Sequence, residues 1–257
     1  MIFYFTGTGN TRWVSQLLAE ATGDELRFIP DELGKTEDYR LKDGERLGFC
    51  FPTHGWQPPH IVREFIQRST FNVQRSTYIY AFTTCGDNMG YAMRIFEKEL
   101  RRKGLHTDAR FAIVMPESNA CFSFLHLDTD EKARQKVETA RQRMTHICKV
   151  ITERQQGVEE LVKGAIPFTF TYIIGAYYNK HLITDKKFWV DKDTCIQCGL
   201  CQKLCPVDDI KGTPPVWLHN ERCTNCLACY HHCPAHTIHW GNMKRGQYLL
   251  SKLLVRK

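Results

Sequence analysis

Eight cysteines in two runs of identical spacing constrain this chain more than any other feature. The first run reads Cys195-x-x-Cys198-x-x-Cys201-x-x-x-Cys205-Pro206 and the second Cys223-x-x-Cys226-x-x-Cys229-x-x-x-Cys233-Pro234. A thiolate at every third residue wraps the backbone round one compact inorganic core. Zinc sites usually take one Cys-x-x-Cys pair, a long gap and a second pair. Here three cysteines stand at the closest repeat and a fourth follows after three residues. A disulfide knot is the other competing reading. The remaining cysteines, Cys50, Cys85, Cys121 and Cys148, are scattered through the N-terminal part without framework spacing. That usage suits a reduced, intracellular chain, with the cytoplasm as the expected location. Each proline ends its run where the chain turns away.

The runs resemble those of bacterial ferredoxins that carry two 4Fe–4S clusters. Cys195-Ile196-Gln197-Cys198-Gly199-Leu200-Cys201 and Pro206-Val207-Asp208-Asp209-Ile210 carry the likeness, and Pro234-Ala235-His236-Thr237-Ile238 echoes it. The resemblance implies crossed ligation, in which the fourth cysteine of each run serves the other run's cluster. Cys195, Cys198, Cys201 and Cys233 would hold one cluster; Cys205, Cys223, Cys226 and Cys229 the other. A small α+β ferredoxin-like domain over residues 188–241 is expected. His231 and His232 read most simply as solvated, with a hydrogen bond to a cluster sulfur as the sharper alternative.

At 257 residues the chain has room for a second, larger domain. Apolar segments at 2–5, 25–29, 46–51, 78–83 and 109–115 read as strands. Helical periods lie between them and after the last, among them Val14, Leu17, Leu18 and Ala21, stopped by Gly23, and Ala133, Val137, Ala140, Met144 and Ile147. Strands alternating with helices imply a parallel sheet covered on both faces. Thr6-Gly7-Thr8-Gly9-Asn10-Thr11 joins the first strand to the first helix. Glycines let the backbone turn tightly, N–H groups converge, and the helix N-terminus favours an anion. Arg12 stands where a dinucleotide fingerprint needs a third glycine, so the loop suits a single phosphate.

This loop is similar to the phosphate loop of the flavodoxin family, and Cys85-Gly86-Asp87-Asn88 resembles that family's third flavin loop. The likeness covers about residues 1–155. It implies a flavodoxin-like, doubly wound five-stranded parallel sheet in order 2-1-3-4-5 that binds FMN. The whole chain then resembles a flavodoxin–ferredoxin fusion of the kind found in anaerobes. Its expected parts are an FMN-binding domain at 1–157, a linker or interdomain segment at 158–187, the cluster domain at 188–241, and a basic tail at 242–257. The implied FMN contacts are Thr6, Gly7, Thr8, Gly9, Asn10 and Thr11 at the phosphate, with Thr53, His54, Gly55 and Trp56 near the ring. Thr84, Cys85, Gly86, Asp87 and Asn88 complete the set. Gly55 has no side chain to keep its peptide from the ring, and Trp56 is a candidate to stack on it. Cys85 reads as a packed thiol.

The formal charge is +7. Two clusters at about −2 each and a phosphate at about −2 bring the loaded chain near neutrality. No basic stripe with interleaved aromatics occurs, so nucleic acid is not an expected partner. No apolar run reaches membrane-span length; residues 166–178 are too short and contain Pro167 and Gly175. That stretch reads as interdomain packing, with an acceptor or membrane-surface contact as the alternative. The tail reads as a solvated end or a dock for an acidic partner. No acid–base or nucleophile constellation stands out; His54, His60 and Asp87 are the polar candidates near the expected ring. No second glycine-rich loop marks an NAD(P)H site. The expected function is electron transfer between two 4Fe–4S clusters and FMN. The partner would be a protein donor or acceptor such as an acidic ferredoxin, a flavodoxin or a reductase. The alternative is a flavin-dependent reductase of a small substrate fed by its own ferredoxin domain.

Overall fold

The structure is a computed structural model describing residues 1–35, 38–121, 127–242 and 246–254. Six parallel strands form the main sheet: β1 Ile2–Tyr4, β2 Leu26–Phe28, β3 Arg46–Pro52, β4 Tyr78–Cys85, β5 Ala109–Val114 and β6 Val158–Glu160. Their order is β2-β1-β3-β4-β5-β6. The expected doubly wound sheet is present, with one strand more than the five expected. β6 pairs with β5 at Ala109↔Val158 and Phe111↔Glu160. Its three residues include two glutamates, so it carries no apolar period. The charges suit an edge strand: Glu159 pairs with Arg110 at 3.1 Å, and Glu160 with Arg143 at 3.1 Å and His146 at 2.8 Å.

The buried strand β4 shows why both faces are covered. Successive side chains point to opposite faces. Tyr78, Tyr80 and Phe82 enter one core, with Val14 and Leu18 of helix α1 (Asn10–Thr22) and Ala140 and Met144 of α4 (Asp130–Thr152). Ile79 and Ala81 enter the other, with Ile61 and Phe65 of α2 (His60–Arg68) and Phe96 of α3 (Ala92–Arg101). Gly23 ends α1 in the left-handed conformation, as its place in the sequence predicts.

The cysteine-rich part is a small α+β unit. β7 Phe188–Val190 pairs antiparallel with β10 Ile238–Trp240, and β8 Ile210–Lys211 with β9 Val216–Trp217. The short helices α6 Leu200–Lys203 and α7 Ala228–His232 pack together. Its core also contains Ala120, Cys121 and Tyr178, so the two parts share an apolar seam.

Between them, a π-helical turn Thr169–Ile174 runs into α5 Gly175–His181. Thr171, Gly175 and Tyr178 face inward, while Phe168, Ile173 and Tyr177 are exposed. Within residues 158–187, the edge strand β6 is followed by this segment, which covers the loop after β3.

The described part of the tail is not a solvated end. Tyr248 and Leu250 are buried, and Gln247 Nε2 donates to the carbonyls of Tyr230 and Cys233, each at 2.8 Å. Helix α8 Leu250–Leu254 packs on α4. Lys252 is exposed; Lys244, Arg245, Arg256 and Lys257 lie outside the described residues. Among the described residues no helix is long and apolar enough to cross a membrane.

Candidate functional site

The cysteines line two small cavities in the crossed grouping. One is lined by Cys195, Cys198, Cys201 and Cys233, the other by Cys205, Cys223, Cys226 and Cys229. Both runs follow one backbone path. Gln197 and Gly199 have φ of 54° and 69°; their counterparts Asn225 and Leu227 have 48° and 59°. Backbone N–H groups point at sulfur in equivalent places: Asp209 to Cys205 at 3.3 Å and Thr237 to Cys233 at 3.4 Å. Such donors tune an iron–sulfur centre. Burial pushes the Cys223 and Cys229 thiols well up, with Cys226 adding to both, so their protons leave as metal binds. No three metal-ligating side chains among the described residues converge on a single ion. Four cysteine sulfurs on each cavity suit a cluster with iron at several corners.

The cavities differ in setting. Around the first, Cys198 is exposed and Ile196 is 62% exposed. Around the second, Thr224, Asn225 and Leu227 are buried, whereas their counterparts Ile196 and Gln197 are exposed and Gly199 is half-buried.

A larger crevice of about 350 Å³ opens beyond the carboxyl ends of β1, β3, β4 and β5, where open α/β sheets bind ligands. All the residues expected at the flavin line it except Gly9, which caps α1 in the left-handed conformation without a side-chain cap. The first-turn N–H groups of α1 are thereby left for an anion. Thr6 Oγ1 accepts from Gly9 N–H at 3.2 Å, and Thr11 and Thr84 share a hydroxyl bond at 2.8 Å that ties two loops together. The Asn10 side chain is already engaged. Its Nδ2 donates to the Pro116 carbonyl at 2.9 Å and its Oδ1 accepts from Tyr248 Oη at 2.6 Å. Its amide is a strut, and what it offers an anion is its backbone N–H.

His54 lines the crevice, and its pKa is pushed down to about 4, mainly by burial and then by nearby His60, which keeps it neutral. His60 itself does not line the crevice; its Nε2 lies 3.3 Å from the Arg222 carbonyl. Asp87 is exposed at the rim. Burial pushes the Cys85 thiol up to about 12, and its Sγ lies 3.8 Å from the Ile113 carbonyl, as a packed thiol should. Lys136 Nζ donates to the Gly86 carbonyl at 2.7 Å.

The cover fixes the loop after β3. Asn179 Nδ2 donates to the Gly55 carbonyl at 3.1 Å, and Gln57 Nε2 to the Thr171 carbonyl at 3.0 Å. A Cβ on Gly55 would collide with Tyr178. Its peptide is therefore held in one orientation. Trp56 stands 4.7 Å from Phe170 between ring centroids, so one face of the indole is already occupied.

Several lining residues escape sequence reasoning. Glu117, Ser118 and Asn119 follow β5, and the rule that selects the loops after β1, β3 and β4 selects this one too. Burial raises the Glu117 pKa, while N–H donation from Asn119 and Ser118 opposes that shift. Phe170 and Tyr178 come from the cover, and Asn225, Cys226 and Leu227 from the second cysteine run. A Cβ on Gly7 would collide with the Cys226 carbonyl. His231 is fully buried, not solvated. Its Nε2 lies 2.7 Å from the Ser118 carbonyl, and its Nδ1 accepts from Tyr248 N–H at 2.9 Å.

Residues 187–234 match the family described as 4Fe-4S dicluster domain. This part of the chain is a 4Fe–4S-binding domain. No curated protein matches the chain. Among solved structures, it is similar to the Trp repressor binding protein from Bacillus subtilis, at 12% identity over 44% of this chain and 84% of that one, TM-score 0.29. It is also similar to azoreductase AzrA, at 10% identity over 59% of this chain and 99% of that one, TM-score 0.33. At such distance the fold assignment rests on the strand order itself.

Proposed function

We propose that this chain is an electron carrier that passes electrons between two 4Fe–4S clusters and an FMN in the crevice, linking a protein redox partner to the flavin. One observation carries the reading: Asn225, Cys226 and Leu227 line both the crevice and the second cysteine cavity. Clusters exchange single electrons, and a flavin can take one or two. The chain's own residues bind and shield. Loop 6–11 and the first turn of α1 take the phosphate, the loops after β3 and β4 flank the ring, and the cover excludes water. The exposed surroundings of the first cavity suit exchange with a partner; the second, which shares lining residues with the crevice, suits an internal relay.

FMN fits what the crevice offers. Its uncapped helix start suits a phosphate, and its volume lies within the usual range for ligand sites. The cover and the second cysteine run place the chain's own side chains over the crevice, which favours a relay over a reductase of a small substrate. Anaerobically reconstituted protein should contain about eight irons and about one FMN per chain. Reducing the clusters should then reduce the flavin. Flavin that stays oxidised beside reduced clusters, or no flavin binding, would overturn the reading.

A further inference from the structure

The two cysteine runs share a backbone path, with non-glycine residues at one left-handed position in both (Gln197 and Asn225), but at the other only the first run has glycine. That other position is Gly199 in the first run and Leu227 in the second, each directly before a short helix. Glycine adopts this conformation freely, whereas leucine is strained in it. Strain of this kind persists where the surroundings over-determine it, and it clusters at functional sites. Leu227 is buried and lines both the crevice and the second cysteine cavity; Gly199 lines only the first cavity. Among the described residues, only Asn225 and Cys226 share that double placement. On the same strip, the Asn225 Nδ2 is buried without a partner.

We propose that the second cysteine loop is a structural wall of the flavin site, with Leu227 as its positioning residue, so that flavin is held tightly only when that loop is folded round its cluster. The inference rests on the FMN reading above. Cys223 and Cys226 bracket Thr224 and Asn225, so metal bound by both cysteines fixes the strip at two points. The fixed strip holds the Leu227 side chain between the cavities, where its apolar surface keeps water from passing. Linkage makes the effect reciprocal: whatever the assembled loop adds to flavin affinity, bound flavin adds to cluster retention.

The test measures FMN affinity by fluorescence quenching on the full chain under anaerobic conditions, with iron content read on the same samples. Leu227→Gly removes both the side chain and the strain. It should keep its iron and bind FMN about tenfold more weakly or worse. Affinity within about twofold of wild type at full iron would overturn the proposal. A second measurement needs no variant. Saturating FMN should slow the release of about half the iron to a chelator; equal release with and without FMN would overturn the proposal even if Leu227→Gly fails to fold. A wild-type chain that binds no FMN refutes the flavin reading and this inference together. FMN bound equally by both proteins refutes the wall alone.

Discussion

The two cysteine cavities are written with the same ligand spacing and occupy opposite situations. The first lies at the surface beside exposed Ile196, while the second is pressed against the crevice through Asn225, Cys226 and Leu227. Ligand spacing decides what each cavity holds. The residues between the ligands decide what it is connected to: Ile196, Gln197 and Gly199 in one run, Thr224, Asn225 and Leu227 in the other. A repeat can thus keep its coordination chemistry while its two copies take different tasks.

That contrast can be broken most directly at the ligands. Cys198→Ser and Cys226→Ser should each lower iron from about eight to about four per chain. Only Cys226→Ser should also lower bound FMN, by iron assay and flavin extraction; equal flavin in the two would erase the difference. Next comes the seam itself. Gly7→Ala forces a methyl group into the Cys226 carbonyl. Overpacking of this kind costs about 1–3 kcal/mol, and a chain this size loses about 2–4 °C of Tm per kcal/mol. Calorimetry should show Tm lower by about 2–12 °C, with weaker FMN binding.

Gly199→Ala is the counterpart in the outer cavity and should be milder. Its Cβ would meet only Thr213 Cγ2, at 3.7 Å, so the cost is that of the left-handed backbone. About 1–2 kcal/mol is expected in the melting curve, with FMN affinity unchanged. The smallest effect is at Glu117. Burial raises its pKa from the ordinary 4.5, so the folded chain holds this proton to higher pH than the unfolded chain does. Its contribution to stability therefore falls as pH rises through that window. Glu117→Gln removes the slope, and its Tm relative to wild type should rise as the pH is raised from the ordinary carboxylate value of 4.5.

Much of the architecture was legible because it repeats locally. Cysteine spacing, strand–helix alternation and loop 6–11 are each read within a short window. The main sheet came out with one strand missed, since Val158, Glu159 and Glu160 show no strand pattern, and the short parallel pair Asp38–Arg40 and Thr70–Asn72 was missed as well. Elements that depend on distant partners left no local signal. The cover at 169–181 looks like an interrupted apolar run because half its surface is exposed and half lies on the loop after β3. His231 looks solvated between two cysteines, yet it meets Ser118, 113 residues earlier in the chain. The loop after β5 was within reach of the strand-end rule. The wall formed by Asn225, Cys226 and Leu227 was not, because only folding brings it to Gly7.

Asn10 is held by Pro116 and by Tyr248, 106 and 238 residues further along. During synthesis loop 6–11 emerges first and its strut arrives late. At the usual rate of translation the interval between Asn10 and Tyr248 is about 10–50 s. Throughout it loop 6–11 lacks this anchor. The Asn10 side chain therefore gains its second anchor only after translation has passed Tyr248.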